Sequence, residues 1–354
     1  MEEVVARFWE HAKGYYKLAD GSQSSETESF RQALRPLRRL FGGTPAKDFG
    51  PKRFKAVRDE MVRMGWCRTN VNRQAARVRQ VFKWATEEEL VPGVVLHALK
   101  AVRGLRPHTD NVKESAPVKP VTEHAVDAVR PLVSRQVAAL IDLQLHTGMR
   151  PGEAVIMRAA DLADLDKKVW LYRPPRHKTA HHGKAREILI GPKAQEVLRP
   201  FFTTNPKAYL FSPRDADAEA GVKGGNPGDR YTVASYRRAI ARACDEAFPL
   251  TPDLAHMARR ARQWRAAYAK VNGKRLPLKK CPPRILKMWE AVNDFLAANR
   301  WHPHQLRHTF ATAIRATHGL EVAQILLGHA DTKTTLQYAE QDTRRAMEVM
   351  REVG

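Results

Sequence analysis

The sequence predicts a mainly α-helical chain in two parts, with one small antiparallel sheet in the second part. Three observations predict this. Apolar residues recur at three- and four-residue spacing over the first hundred positions, without convincing strand alternation. A polar run at 104–120, punctuated by Gly104, Pro107, Pro117 and Pro120, reads as an interdomain linker. Period-two alternation appears at Lys168–Tyr172 and again at Arg186–Ile190, on either side of a polar loop, which reads as a β-hairpin or sheet edge. At 354 residues the chain can hold two cored domains of roughly 100–200 residues each.

In the first part, residues 1–103, the positions Val5, Phe8, Trp9 and Ala12 mark an opening helix, closed by the loop at 21–25. Ser25 can cap a second helix through Phe30, Leu34, Leu37 and Leu40, which Gly42-Gly43-Thr44-Pro45 ends. A third follows from Pro51, with Phe54, Val57, Met61 and Met64 on one face. Thr69 or Asn70 caps a fourth, whose apolar face is Val71, Ala75, Val78, Val81, Phe82 and Ala85. Its other faces are basic.

The second part, residues 121–354, begins with helices at Thr122 and Ser134, the latter stopping at Thr147-Gly148-Met149-Arg150. Beyond the paired strands come a helix from Pro192 to Phe202, a Gly-, Asp- and Pro-rich loop at 213–229, and a basic helix over Tyr231–Ala247. Pro303 opens another helix at its first turn, where proline is tolerated best. A helix through Val322, Ile325 and Leu327 reaches the corner Gly328-His329, and a last amphipathic helix carries Ala346, Met347, Met350 and Val353.

Charge narrows the function. A formal net charge of +23 calls for a polyanionic partner, either nucleic acid or an anionic membrane surface. No apolar run approaches the roughly 20 residues of a membrane span, and the acidic N-terminus has no signal-peptide pattern, so membrane insertion and export are not expected. Cys67, Cys244 and Cys281 are far apart and form no Cys-x-x-Cys pair, which suits a reducing compartment and gives no zinc framework. His177, His181 and His182 lie in the polar loop without framing acids or cysteines, and read as exposed histidines, not metal ligands. On the fourth helix, Arg68, Arg73, Arg77 and Lys83 are candidates for contact with a DNA backbone.

The chemistry-bearing residues sit at turns and helix starts. His304, Arg307 and His308 stand at i, i+3 and i+4, an arrangement that suits an anion at a helix N-terminus or, more plainly, a helix start with a packed histidine. Arg150, Lys178, His329 and Tyr338 likewise follow turns or loops. Taken singly, each also fits an ordinary C-cap, surface or core role.

Their order and spacing resemble the tyrosine recombinase (phage integrase) family. Thr147-Gly148-Met149-Arg150-Pro151-Gly152-Glu153-Ala154 looks like its first arginine box, and His304-Gln305-Leu306-Arg307-His308-Thr309 like its His-x-Leu-Arg-His box. The run from Leu326-Leu327-Gly328-His329 to Gln337-Tyr338 looks like its nucleophile box. The resemblance spans roughly residues 121–345 and implies a fold and a function. The fold is an N-terminal helical (SAM-like) core-binding domain over 1–103, a linker over 104–120, and a mostly α catalytic domain over 121–354 with a small antiparallel sheet. The function is site-specific recombination or integration through a 3′-phosphotyrosyl intermediate. It implies Tyr338 as nucleophile, Arg150 and Arg307 as the phosphate clamp, and His329 as a further donor. Lys178, matching better than Lys184, is then the general acid and His304 the proton acceptor, with Glu153 orienting the arginine and histidine, and His308 structural. No cofactor, ATP or metal is implied. The implied partners are double-stranded DNA and, in a synaptic complex, a homo-tetramer in which the last helix docks on a neighbour; the free chain is expected to be a monomer, cytoplasmic and nucleoid-associated. A type IB topoisomerase-like relaxase and a non-cleaving DNA-binding relic are the rival readings. Residues 249–300 depart from the family pattern. They hold a basic insertion, with twelve Lys/Arg against two acids over 254–300, interleaved with Trp264, Tyr268 and Trp289. It is either a solvated helical face or a surface gripping DNA backbone or a neighbouring subunit.

Overall fold

A computed structural model describes residues 1–328 apart from 18–20, 109–110, 177–185, 223, 225, 274–275 and 277–279. The chain divides into two compact units, Met1–Pro117 and Val118–Gly354.

The first unit is all helical among its described residues: α1 (Glu2–Tyr15), α2 (Ser25–Phe41), α3 (Pro51–Arg63), α4 (Arg68–Glu87) and α5 (Gly93–Lys100). Ser24 caps α2, its Oγ accepting from the Glu26 N–H at 3.3 Å, so the cap lies one residue before the expected Ser25. Cys67, not Thr69 or Asn70, occupies the cap position of α4. The expected apolar faces meet in one core, where Phe8, Phe30, Phe49, Phe54 and Phe82 are all at most 1% exposed. Phe8 and Phe30 meet edge-on and Phe49 stacks on Phe82, each pair about 5 Å apart between centroids. The run after α5 is strapped along α4. Asn72 exchanges two hydrogen bonds with the Leu105 backbone at 2.8 and 3.0 Å, and the Arg68 N–H donates to Lys113 O at 2.9 Å.

The second unit holds α6 (Glu123–Val129), α7 (Arg135–Thr147), the one-turn α8 (Pro151–Ala154), strands β1 (Leu162–Ala163), β2 (Trp170–Tyr172) and β3 (Ile188–Ile190), then α9 (Pro192–Leu198), α10 (Pro213–Glu219), α11 (Val233–Ala247), α12 (Pro252–Asn272), α13 (Pro283–Asn299) and α14 (Pro303–Leu327). The sheet is antiparallel in the order β1-β2-β3, with Trp170 opposite Ile190 and Tyr172 opposite both Ile188 and Leu162. Those residues face inward and are buried, while Leu189 points out at 45% exposure. α7 is the hub: Leu140, Ile141 and Leu143 are fully buried, and it packs against α9 and α14. Thr122 and Ser134 cap α6 and α7 as expected. The loop expected over 213–229 is partly wrong. Ser212 accepts from the N–H groups of Arg214 and Asp215, Pro213 sits at N1, and the Ala- and acid-rich stretch to Glu219 is helical. α14 breaks its helical geometry at Gly319, at φ 86° and ψ 175°.

Candidate active site

The site grows from the end of α7. Gly148 closes that helix in a left-handed conformation, φ 63°, and its N–H donates to Gln144 O at 2.9 Å. The Phe310 ring of α14 fills the space that a β-carbon on Gly148 would need, so glycine is required there for two reasons. Gln144 also donates from Nε2 to Met149 O at 2.9 Å, pinning the turn.

That turn presents Arg150 and Glu153. The Glu153 carboxylate accepts from the Arg150 backbone N–H and from Arg150 Nη1, each at 2.8 Å. It is 2% exposed. Burial works to raise its pKa, but the Arg186 and Arg150 charges and the Arg150 N–H hold the carboxyl below its ordinary value. Behind it, the Tyr172 hydroxyl donates to the Glu153 backbone carbonyl at 2.8 Å, tying the α8 turn to the sheet.

Arg307 bridges two corners. It is 1% exposed and donates from Nη1 to Gly148 O at 2.7 Å and from Nη2 to Leu327 O at 2.8 Å. Pro303 starts its helix, and the Gln305 side chain fixes the first turn by accepting from the His302 N–H and donating to Lys119 O, both at 3.0 Å. Trp301 is buried just before it and donates from Nε1 to Ala125 O at 3.2 Å. On this turn His304 faces solvent and His308 is buried, their rings 5.2 Å apart. Burial first, then the neighbouring His304 and Arg307, push the His308 pKa down to about 4, so its ring stays neutral.

The sequence patterns did not single out one residue of this site. Arg186, two residues before β3, is 8% exposed and places Nε 3.6 Å from Glu153 Oε1. Its guanidinium lies where a β-carbon on Gly328 would stand. Nε and Nη2 are buried without a hydrogen-bond partner among the described residues. Burial depresses its pKa, the Arg150 charge adds to this, and Glu153 opposes it. A signal was present: Arg186, Ile188 and Ile190 share one face at period two, so a strand face that is otherwise apolar ends inward on a cation.

The structure thus brings Arg150, Glu153 and Arg186 together, sets Arg307 between the Gly148 and Leu327 carbonyls, and places His304 at the first turn of α14. Lys178, Lys184, the histidines His177, His181 and His182, His329, Tyr338 and the last amphipathic helix lie outside the described residues. On α4, Arg73 and Lys83 are exposed, but Arg77 is held by both oxygens of Glu26 at 2.7 and 2.9 Å, and Arg68 by Glu114 at 2.5 Å.

A model of the phage integrase family matches residues 272–345. Tyrosine recombinase XerC of Azotobacter vinelandii is 30% identical over 214 residues, which are 59% of this chain and 50% of that protein. XerC of Stutzerimonas stutzeri is 24% identical over 304 residues, 86% of this chain and 80% of that protein. The chain therefore spans about half the length of the Azotobacter relative in the matched region. A lambda integrase (75–356) dimer bound to a COC′ core site has a similar fold, with a TM-score of 0.62 and 14% identity over 97% of this chain and 96% of that one. The Tn1549 transposon integrase in complex with circular intermediate DNA gives 0.59 and 16%, covering 98% of each chain. By these matches the chain is similar to the tyrosine recombinase (phage integrase) family, and its helical architecture with a small antiparallel sheet is the fold of the solved integrases.

Proposed function

We propose that this chain is a site-specific recombinase or integrase that cuts and rejoins duplex DNA through a 3′-phosphotyrosyl intermediate. The observation that carries the reading is the gathering of three arginines at the Gly148 and Gly328 corners. Arg150 and Arg186 pair with the buried Glu153 carboxylate, and Arg307 ties the Gly148 and Leu327 carbonyls together beside them. Two guanidiniums on one carboxylate leave a net positive charge at this corner, and a phosphodiester supplies the complementary anion. The solved relatives bound to their DNA sites support the same substrate.

The chemistry follows from the residue types. The Tyr338 oxygen attacks the scissile phosphorus while His304 accepts its proton. The bond to the 5′-oxygen breaks, and Lys178 protonates that oxygen as it leaves. One phosphodiester is exchanged for another, so no ATP is consumed. Arg150 and Arg307, with His329, stabilise the charge gathering on the non-bridging oxygens. Glu153 keeps Arg150 in register from both its backbone and its side chain. Religation to a different 5′-hydroxyl reverses the steps. The free chain is a monomer that assembles as a homo-tetramer on two paired sites, in the cytoplasm and on the nucleoid.

The test is a nicked suicide duplex carrying the DNA site recovered from the junctions around the gene, resolved on a denaturing gel. A covalent protein–DNA band that Tyr338→Phe abolishes is the expected result. No band with the wild-type chain sinks the reading and leaves a DNA-binding protein that does not cleave. A two-site assay must then yield recombinants; relaxation of supercoils without them would point to a topoisomerase-like activity instead.

A further inference from the structure

We propose that the α12–α13 hairpin is a second grip on duplex DNA, binding phosphate backbone beyond the cut site. The inference rests on the reading of this chain as a protein that acts on duplex DNA.

The first observation is charge. Residues 254–289 contain eleven Lys and Arg and no Asp or Glu. On the described surface, Arg259, Arg260 and Lys270 of α12 are exposed, as are Lys280 just before α13 and Arg284 and Lys287 in its first turns. Arg259 and Lys270 are eleven residues apart, three helical turns, so they share one face about 16 Å apart. The first acid on α13 is Glu290. The cations therefore run along α12 and into the start of α13.

The second observation is where the apolar side chains go. Ala258, Ala261 and Val292 are buried between the two helices, and the Arg265 guanidinium sits 5.5 Å over the Trp289 ring. Trp264 and Tyr268 stack along α12 at 5.6 Å and are half-buried. Among the hairpin's described residues only Val271 is a large hydrophobic side chain left exposed. A bilayer-binding helix needs an outward apolar face, and a protein–protein interface usually has an apolar centre. This surface has neither. A cationic face with a single exposed apolar side chain fits a phosphate backbone read for charge, not for sequence.

The third observation is the mounting. α13 ends at Asn299, and Arg300 grips Asp245 of α11 through two hydrogen bonds of 2.6 Å. Trp301 is buried, and α14 starts at Pro303. Three residues thus join the hairpin to the helix that carries His304 and Arg307. The basic face is fixed to the same unit as Arg150, Arg186 and Arg307.

The experiment uses the full chain and a duplex of about 60 base pairs with no particular site, with affinity measured by fluorescence anisotropy between about 50 and 200 mM salt. Two triple variants are compared with wild type: Arg259→Gln/Arg260→Gln/Lys270→Gln and Lys280→Gln/Arg284→Gln/Lys287→Gln. Each cation taken away from a phosphate flattens the plot of log affinity against log salt by about 0.9. Taking away three flattens it by about 2.7, so the fall in affinity across that salt range shrinks by roughly 40-fold. A flattening of about half a unit or more in either variant, with a native circular dichroism spectrum, supports the grip. If a triple variant unfolds, Lys270→Gln and Arg284→Gln decide singly, each expected to flatten the slope by about 0.9. Unchanged slopes throughout overturn the proposal. So does binding to phosphatidylserine–phosphatidylcholine vesicles that the triples abolish while the DNA slope stays the same, which would assign the face to a membrane. The slope needs no cleavage, so the two readings fail separately. A flattened slope without a wild-type covalent adduct keeps the grip and sinks the recombinase; an adduct with unchanged slopes does the reverse.

Discussion

The guanidinium of Arg186 occupies the volume that a β-carbon on Gly328 would take, and the same guanidinium faces the Glu153 carboxylate from 3.6 Å. One side chain thus joins the approach to β3, the α8 turn and the corner at the end of α14. Gly328 also has φ 63°, where side chains other than glycine are strained.

Gly328→Ala is therefore expected to cost about 1–2 kcal/mol from backbone strain alone, and to push Arg186 off Glu153. Arg186→Ala leaves Arg150 as the remaining partner of Glu153, and breaking a buried pair in this way costs about 3 kcal/mol. Arg186→Lys keeps the charge and should recover part of both stability and strand cleavage. Denaturant unfolding reads the first, and yield of the covalent adduct the second, while DNA affinity stays within about threefold because other cations dominate it. Wild-type stability in Arg186→Ala would show that Glu153 does not depend on it.

The four basic candidates on α4 should separate into two classes. Arg77 spends its guanidinium on both oxygens of Glu26 and its side chain is 13% exposed, whereas Arg73 is exposed. Arg73→Ala is expected to reduce the salt slope of DNA binding by about one with no change in melting temperature. Arg77→Ala should lower stability by about 1–2 kcal/mol and leave that slope nearly unaltered. The reverse pattern would mean that the Glu26 pair opens on DNA.

Much of this molecule was legible because helix periodicity and capping are local. Pro303, Thr122 and Ser134 start helices where the sequence says they do. The misses have physical reasons. Ser24 and Ser25 can both cap, and only the backbone conformation at Ser24, φ −77° and ψ 157°, decides between them. β1 is two residues long and exists through Leu162 pairing with Tyr172, a partner that local pattern does not specify. At the site, the arginines announced by turn motifs, Arg150 and Arg307, were readable. Arg186 was not picked out because its role depends on Glu153 and Gly328, both far away in sequence.

His308 should make stability fall on mild acidification. Its folded pKa is pushed down to about 4, against about 6.5 when unfolded, so below pH 6.5 the unfolded chain binds the extra proton. The stability from a neutral His308 is complete above about pH 6.5 and is lost progressively toward pH 4, by about 3 kcal/mol at most. His302, also depressed by burial and then by Arg237, acts in the same direction. His308→Asn should remove most of the slope of unfolding free energy over that window. A wild-type chain whose stability is flat between pH 6.5 and 4 would contradict this.

Cys67 should be the fast-reacting thiol. At the cap position of α4 its sulfur is hydrogen-bonded by the Ser115 hydroxyl, the Thr69 hydroxyl at 3.5 Å and the Asn70 N–H, which together push its pKa down to about 7. Cys244 and Cys281 are buried, and burial raises the Cys244 pKa. Reactivity follows the thiolate, so about half of Cys67 is reactive at pH 7 and nearly all of it above pH 8. A brief iodoacetamide pulse analysed by mass spectrometry should label Cys67 at least tenfold faster than the other two, with the rate rising through a midpoint near pH 7. Ser115→Ala should move that midpoint upward, because it removes the strongest of the hydrogen bonds to the thiolate. A wild-type midpoint near the ordinary thiol value of about 8.5 would rule out this hydrogen-bonded cap.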